Sequence, residues 1–325
     1  METTSTTDRP NTAQAQNHHF QFLGKGSEYF AILIVNWLLT LVTLGFYYPW
    51  ARAKQLRYTF GHIALNDERF NFSGTGKEMF RGFIKVLVFY IVVFVAFYLL
   101  WIKVNLVIGI LVLYLALFSI IPLAIHGSFR YRMSRTSYRG IRFGYRGDKK
   151  LLIKNFIKWT LLTIITFGIY GSWMNMNIRR YTHKNVRYGD VEFNNDCHGS
   201  DWFLINFLGL LLTLLTLGIY SFWWEKNRFE YYIDRMSMQK GEQKIWCKST
   251  VTGLGFLKLR VVNFFIIVFT LGFGTAWAEM RSERYIWSNI KMAGNINLDE
   301  IHQTEEEYTN AFGDGAADFF DIDLA

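Results

Sequence analysis

Four apolar stretches along the chain end in nearly the same words. Leu38 to Trp50 reads Leu-Leu-Thr-Leu-Val-Thr-Leu-Gly-Phe-Tyr-Tyr-Pro-Trp, Leu161 to Trp173 and Leu211 to Trp223 repeat it, and Phe269 to Trp277 is a looser copy. Each apolar run begins well before these words, so its length to the Trp matches the ~20 residues a helix needs to cross ~30 Å of hydrocarbon. Between the first and second copies lies a longer stretch, Phe83 to Ile125, broken only around Lys103, which reads as two helices joined by a tight loop. The pattern therefore predicts six spans, near 30–50, 83–101, 104–125, 154–173, 202–223 and 259–277.

A tyrosine seven or eight residues after each Trp serves as a register mark. The marks are Tyr58, Tyr181, Tyr231 and Tyr285, with a fifth, Tyr131, after the long apolar stretch. They predict five units of about 50 residues, with one additional helix near Phe83 to Trp101. Beyond each mark stands a turn pair flanked by β-prone residues: Asn66-Asp67, Arg139-Gly140, Gly189-Asp190, Lys240-Gly241 and Gly294-Asn295. Each reads as a short β-hairpin. The alternating aromatics of Phe70-Asn71-Phe72 and Phe143-Gly144-Tyr145 share one face, on which hairpins pack into a small sheet at the membrane surface. Phe20-Gln21-Phe22 matches that strand without a partner.

Tyr47, Tyr48, Trp50, Trp223 and Trp224 fall where amphipathic rings prefer the headgroup layer. The basic aromatic pieces that follow, such as Arg52, Lys54, Arg57 and Tyr58, read as interfacial helices lying along the surface. Every unit carries this basic flank, whereas units with one span each should alternate sides. Strict alternation over six spans is the favoured expectation. It places the segments after spans one, three and five in the cytoplasm and the acidic tail outside. In the alternative, Gly and Pro49 break the Thr-Leu-Gly pieces into re-entrant segments. That route carries Glu225 and Lys226 into the membrane, at ~2.5 kcal/mol or more each unless protein shields them.

Composition sharpens this picture. Of 325 residues, 51% are hydrophobic and 18% aromatic, too apolar for an ordinary soluble domain. Nine of the 26 acids lie after Leu298, where no Lys or Arg occurs, so a basic body precedes an acidic tail. That asymmetry suits a membrane-facing protein, with the lipid bilayer and its anionic headgroups as partner, and not a nucleic-acid reader. Residues 1–19 form a polar, disordered N-terminus without the apolar core of a signal peptide, 20–298 the transmembrane domain, and 299–325 the acidic tail.

Candidate chemistry is sparse. Cys197 and Cys247 are too few for a disulfide framework. Asp196-Cys197-His198 is a consecutive triplet that converges poorly on one metal ion, and His62, His126 and His183 are scattered. Gly24-Lys25-Gly26 and Gly74-Thr75-Gly76 read as strand-to-helix turns, with an anionic headgroup on their N–H groups as the alternative. No catalytic residue, metal or cofactor is expected. Helix interiors lack Asp, Glu and His but hold Thr40, Thr43, Thr163, Thr166, Thr213 and Thr216, with Asn36 and Asn263. This is a possible polar helix face that either packs against helix backbone or lines a solute path. Gly45, Gly168, Gly218 and Gly272 are the repeated glycine breaks.

Phe20-x-Phe22-x-Gly24-x-Gly26, Asn36-x-Leu38-Leu39-Thr40-x-x-Thr43-Leu44-Gly45-x-Tyr47-x-Pro49-Trp50, Arg57-Tyr58 and Phe70-x-Phe72-x-Gly74-Thr75-Gly76 together resemble the YjgN-like family of bacterial inner-membrane proteins. The resemblance extends over most of the chain. It implies a multi-pass protein of the bacterial cytoplasmic membrane and no assigned reaction. Ser119 in the second unit and Gly274 in the last depart from the pattern. The expected fold is an all-α integral membrane protein of about six transmembrane helices from a ~50-residue repeat, with small β-hairpins and basic interfacial helices between spans. The expected function is a structural, adaptor or lipid-interacting membrane protein and not an enzyme, with a channel or carrier for a small solute as the alternative.

Overall fold

The computed structural model describes residues 16–304. Strand β1 (Gln16–Phe22) claims the last four residues of the stretch expected to be disordered, and residues 1–15 and 305–325 lie outside the described residues. From β1 the chain runs through five successive strand–helix–helix–strand segments. The first is β1, α1 (Gly26–Val42), α2 (Tyr48–Gly61) and β2 (Ile63–Leu65). The second is β3 (Glu68–Arg69) with β4 (Asn71–Phe72), α3 (Gly76–Lys103), α4 (Leu106–Arg135) and β5 (Thr136–Tyr138). The third is β6 (Ile141–Tyr145), α5 (Lys149–Ile165), α6 (Gly171–Lys184) and β7 (Val186–Tyr188). Then come β8 (Val191–Asn195), α7 (Gly199–Leu215), α8 (Ser221–Ile233) and β9 (Met236–Lys240), and finally β10 (Gln243–Ser249), α9 (Gly253–Phe269), α10 (Thr275–Ser288) and β11 (Ile290–Gly294).

All eleven strands join one antiparallel sheet in the order β3-β2-β1-β11-β10-β9-β8-β7-β6-β5-β4. Its two ends, β3 and β4, are separated in the chain by Phe70 alone, so the sheet returns on itself as a barrel-like ring. The last strand pairs with the first, His18 opposite Met292 and His19 opposite Lys291. The unpaired edges are thereby reduced to β3 and β4, two residues each.

This sheet corrects the expectation of an all-α, six-span protein. Among the described residues, only α3 and α4 are long and apolar enough to cross a bilayer. The other four stretches, near 30–50, 154–173, 202–223 and 259–277, are each broken into two helices that pack as a hairpin. The break is a backbone effect. Leu44, Phe167, Leu217 and Leu271 sit at φ 49–50°, followed by Gly45, Gly168, Gly218 and Gly272 at φ 92–95°. Two left-handed residues in succession end a right-handed helix. The Gly45 N–H then donates back to the Thr40 carbonyl at 2.7 Å, closing the cap. The basic pieces expected to lie along the surface are the returning arms α2, α6, α8 and α10. Turn pairs Asn66-Asp67, Arg139-Gly140 and Gly189-Asp190 connect strands as read from the sequence, whereas the fourth turn is Gly241-Glu242, one residue later. After Gly294 no further strand follows among the described residues, and the chain leaves the sheet.

Three contacts recur around the ring. Within each segment the register tyrosine clamps the N-cap residue of the first helix: Tyr58 on Lys25, Tyr131 on Thr75, Tyr181 on Asp148, Tyr231 on His198 and Tyr285 on Thr252. Between segments an arginine donates to the carbonyl that opens the next one, as Arg57 does to Gly74 and Arg180 to Cys197. Arg284 of the last segment makes the same bond to Gly24 of the first, at 2.7 Å. A Trp also packs on the first residue of the next segment's helix, Trp50 on Gly76, Trp173 on Gly199, Trp223 on Gly253 and Trp277 on Gly26. The one departure is matched on both sides: Leu123 replaces the Trp where Lys149 replaces the glycine.

Inside the barrel, rings of Phe20, Phe70, Phe143 and Phe193 follow one another at centroid spacings of 6.4, 6.1 and 6.3 Å, with Cys247 at the fifth position. Leu65, Tyr138, Tyr188 and Met292 pack against them. Tyr138 donates to the Leu65 carbonyl and Tyr188 to the Tyr138 carbonyl, so each buried hydroxyl is satisfied. Segment 295–304, part of it expected to belong to a solvated acidic tail, fills this core with Ile296, Leu298 and Ile301. It is tied to the hairpin turns by Arg139–Asp299, by Lys240 on the Glu300 carbonyl and by Thr304 on the Gly189 carbonyl.

A side chain at residue 199 would run into the Trp173 ring. Gly199→Val is expected to cost about 1–3 kcal/mol by overpacking, read as a lowered thermal midpoint in detergent. Adding Trp173→Ala should recover part of that loss; two fully additive losses would show that the contact does not join the segments.

Candidate functional site

The broken helices place apolar side chains where a water-soluble protein would place polar ones. At the four hairpin tips, Phe167 is 98% exposed, Leu217 94%, and Leu44 and Leu271 each 89%. Val42, Ile165, Leu215 and Phe269 precede them and are exposed as well. The fifth hairpin, α3–α4, ends differently: Lys103 and Asn105 stand at its tip, and Asn105 caps α4 through Val107 N–H at 2.7 Å.

Length separates the two kinds of hairpin. All first helices begin at the barrel, at Gly26, Gly76, Lys149, Gly199 and Gly253. Lys85 and Lys158 are exposed at equal distances along α3 and α5 and mark one level. Beyond Lys158, α5 continues to Ile165, whereas beyond Lys85, α3 continues to Lys103. At ~1.5 Å per residue these are ~10 Å and ~27 Å, against a hydrocarbon layer of ~30 Å and a single leaflet of half that. Measured from that level, the short hairpin has less than the depth of one leaflet and the long one nearly the depth of the whole layer.

Charges on the returning arms are partnered. Glu225 pairs with Arg260 of α9, and Lys226 with Glu230 one turn on. Pairing lowers the cost of carrying these groups toward the membrane.

The polar residues singled out in the sequence lie in these hairpins. Thr43, Thr166 and Thr216 are the C-cap residues of α1, α5 and α7. Each hydroxyl donates back to a carbonyl four residues earlier and accepts the N–H of Tyr47, Tyr170 or Tyr220, so it staples the turn. Thr40 and Thr163 bond back to Asn36 and Trp159, and the half-buried Thr213 has a buried hydroxyl without a partner. Asn36 is buried and donates to the Ala51 carbonyl, while Asn263 donates to that of Ala278, each joining the two arms of its own hairpin. In the fourth segment the same level holds Gly209 against Trp224, a small residue facing a large one.

Among the described residues, no three His, Cys, Asp or Glu side chains group to hold a metal. The Asp196-Cys197-His198 triplet is a strand-to-helix turn, with the Cys197 carbonyl taken by Arg180 and His198 clamped by Tyr231. Burial pushes the Cys197 thiol up to about 11 and the Cys247 thiol up to about 12. Neither the tyrosine clamps nor the barrel plug was read from the sequence. The five-fold tyrosine spacing was visible but not its partner, and Ile296, Leu298 and Ile301 were three apolar residues on the edge of an acidic run.

The chain matches the family described as bacterial protein of unknown function DUF898, over residues 17–200 and 224–319. It is similar to the inner membrane protein YjgN of Salmonella typhimurium, 31% identical over 173 residues, which cover 48% of this chain and 41% of the relative. It is likewise similar to the inner membrane protein YjgN of Escherichia coli O157:H7, 34% identical over 140 residues, 43% of this chain and 34% of the relative. The match thus spans about two fifths or less of these relatives' length. No solved structure matches the chain.

Leu217→Lys is expected to lower the yield of membrane-inserted protein, at a cost of about 2.5–3.5 kcal/mol for a cation at depth, while Leu217→Phe leaves it unchanged; equal yields would place this tip in water. Because Cys197 is buried and its raised pKa keeps the thiol neutral at pH 8, it should alkylate only after denaturation, whereas the half-buried Cys247 should react slowly in the folded protein. Rapid labelling of Cys197 in the folded protein would contradict its burial.

Proposed function

The chain belongs to the DUF898 family of bacterial proteins, and from that premise we propose a lipid-interacting structural protein of the bacterial inner membrane that performs no catalysis. The relatives' designation as inner membrane proteins supports the location. The observation that carries the reading is the set of four exposed, wholly apolar hairpin tips, whose natural surroundings are acyl chains.

In this proposal α3 and α4 cross the membrane and the other four hairpins enter and return on the barrel side. The five segments are copies of one ~50-residue unit, one of them lengthened into a spanning hairpin. The barrel stands in the cytoplasm, because the cations cluster on its side and Lys103 alone caps the far tip. Lys85, Lys154 and Lys158 meet the anionic headgroups. A solute path draws less support, since the hydroxyls of Thr43, Thr166 and Thr216 are committed to their own turns.

Side-specific thiol labelling in intact cells tests the topology, using single cysteines at Asn66, Asp190, Lys240 and Asn105. The first three should react only after permeabilisation and Asn105 from outside. Outside labelling at Asp190 would return the protein to alternating spans and overturn the reading.

A further inference from the structure

We propose that the closed ring of hairpins acts as a one-leaflet wedge, so that the protein senses and favours membrane curved toward the barrel side; this rests on the re-entrant reading of the four short hairpins. The argument is a comparison of cross-sections. At the level between Lys85 or Lys158 and the tips, ten helices occupy the near leaflet, α1 to α10. Past Leu44, Phe167, Leu217 and Leu271 only α3 and α4 continue. The near leaflet therefore holds eight more helices than the far one. At ~10 Å diameter each, the excess area is about 600 Å².

A bilayer can answer an inclusion by changing thickness or by changing shape. Thickness is already matched: the short arms extend ~10 Å beyond Lys158 before their tip turns, within the ~15 Å of one leaflet, and α3 spans the whole. What remains is an area mismatch between leaflets, and an area mismatch is relieved by bending. The tips cannot slide apart to dilute the wedge. Four of the five junctions carry a Trp-on-glycine contact, three of them with an arginine-to-carbonyl bond as well, and Arg284 on Gly24 and Trp277 on Gly26 close the circle. Paired strands above fix the spacing again. A rigid, closed wedge bends the surrounding lipid in every direction about its axis.

The experiment uses the full chain, fluorescently labelled and reconstituted into giant vesicles from which narrow membrane tubes are drawn, with orientation assigned by protease access to the barrel. Barrel-outside protein should be enriched on the tubes about threefold or more relative to the flat membrane, rising as the tube narrows, as for other inclusions bound to one leaflet. Barrel-inside protein should be depleted, and that reversal of sign separates a wedge from mere affinity for thin tubes. Equal density in both orientations at all radii overturns the wedge. A depth measurement on the same preparation, with an environment-sensitive probe at Phe167 and bilayer-quenching lipids, keeps the two readings apart. A probe at the midplane with no sorting refutes the wedge alone. A probe quenched from the far aqueous side refutes the re-entrant hairpins and the wedge with them.

Discussion

The structure depends on closure of the ring. Every segment presents an unsatisfied strand and an exposed helix face to its neighbour, and the pairing of β11 with β1 and the docking of α10 on α1 leave only the short β3 and β4 edges unpartnered. Backbone hydrogen bonds left open at a sheet edge are a liability, and an edge at the membrane surface would be a severe one. The contacts that achieve closure are the ones that join the segments elsewhere. Arg284 meets Gly24 as Arg57 meets Gly74, and Trp277 covers Gly26 as Trp50 covers Gly76.

From closure follows the division of labour along each segment. The barrel end is polar, hydrogen-bonded and filled by aromatic rings. The hairpin ends are apolar, and the hydroxyls of their threonines are turned inward to the backbone. Between them lies a belt of cations, acids and tyrosines in which Glu225 and Arg260, or Arg135 and Glu78, neutralise each other. The same sequence period therefore builds a hydrogen-bonded barrel end, a charged belt and an apolar hairpin end, stacked in one direction.

Much of this was legible in the chain, although its meaning was not. The repeated Thr-Leu-Gly words located the four short tips, and the tyrosine marks located every segment. What misled was the rule that one apolar run makes one crossing. The run from Leu38 to Trp50 has the length of a span, but Leu44 and Gly45 adopt positive φ and fold it in half, which no hydrophobicity count detects. The sheet stayed hidden because its strands are two to seven residues long and half of their pairings are made across an entire helical hairpin. Trp50 and Trp223 were read as headgroup anchors, yet they, like Trp173 and Trp277, pack on glycines of the next segment. The paired exception of Leu123 with Lys149 was the sequence signal for that contact.

The plug formed by Ile296, Leu298 and Ile301 sets an order of events for the growing chain. Contacts within a segment are local and form early, whereas β1 must wait for β11, which lies more than 260 residues away. The plug is synthesised later still, and its binding site is assembled from Leu65, Tyr138, Tyr188, Val191 and Ile245, one from each of the five segments. It has nothing to enter until the ring exists. Until then its three apolar side chains have no core to enter, so burial of 295–304 is a local report that the whole ring has closed.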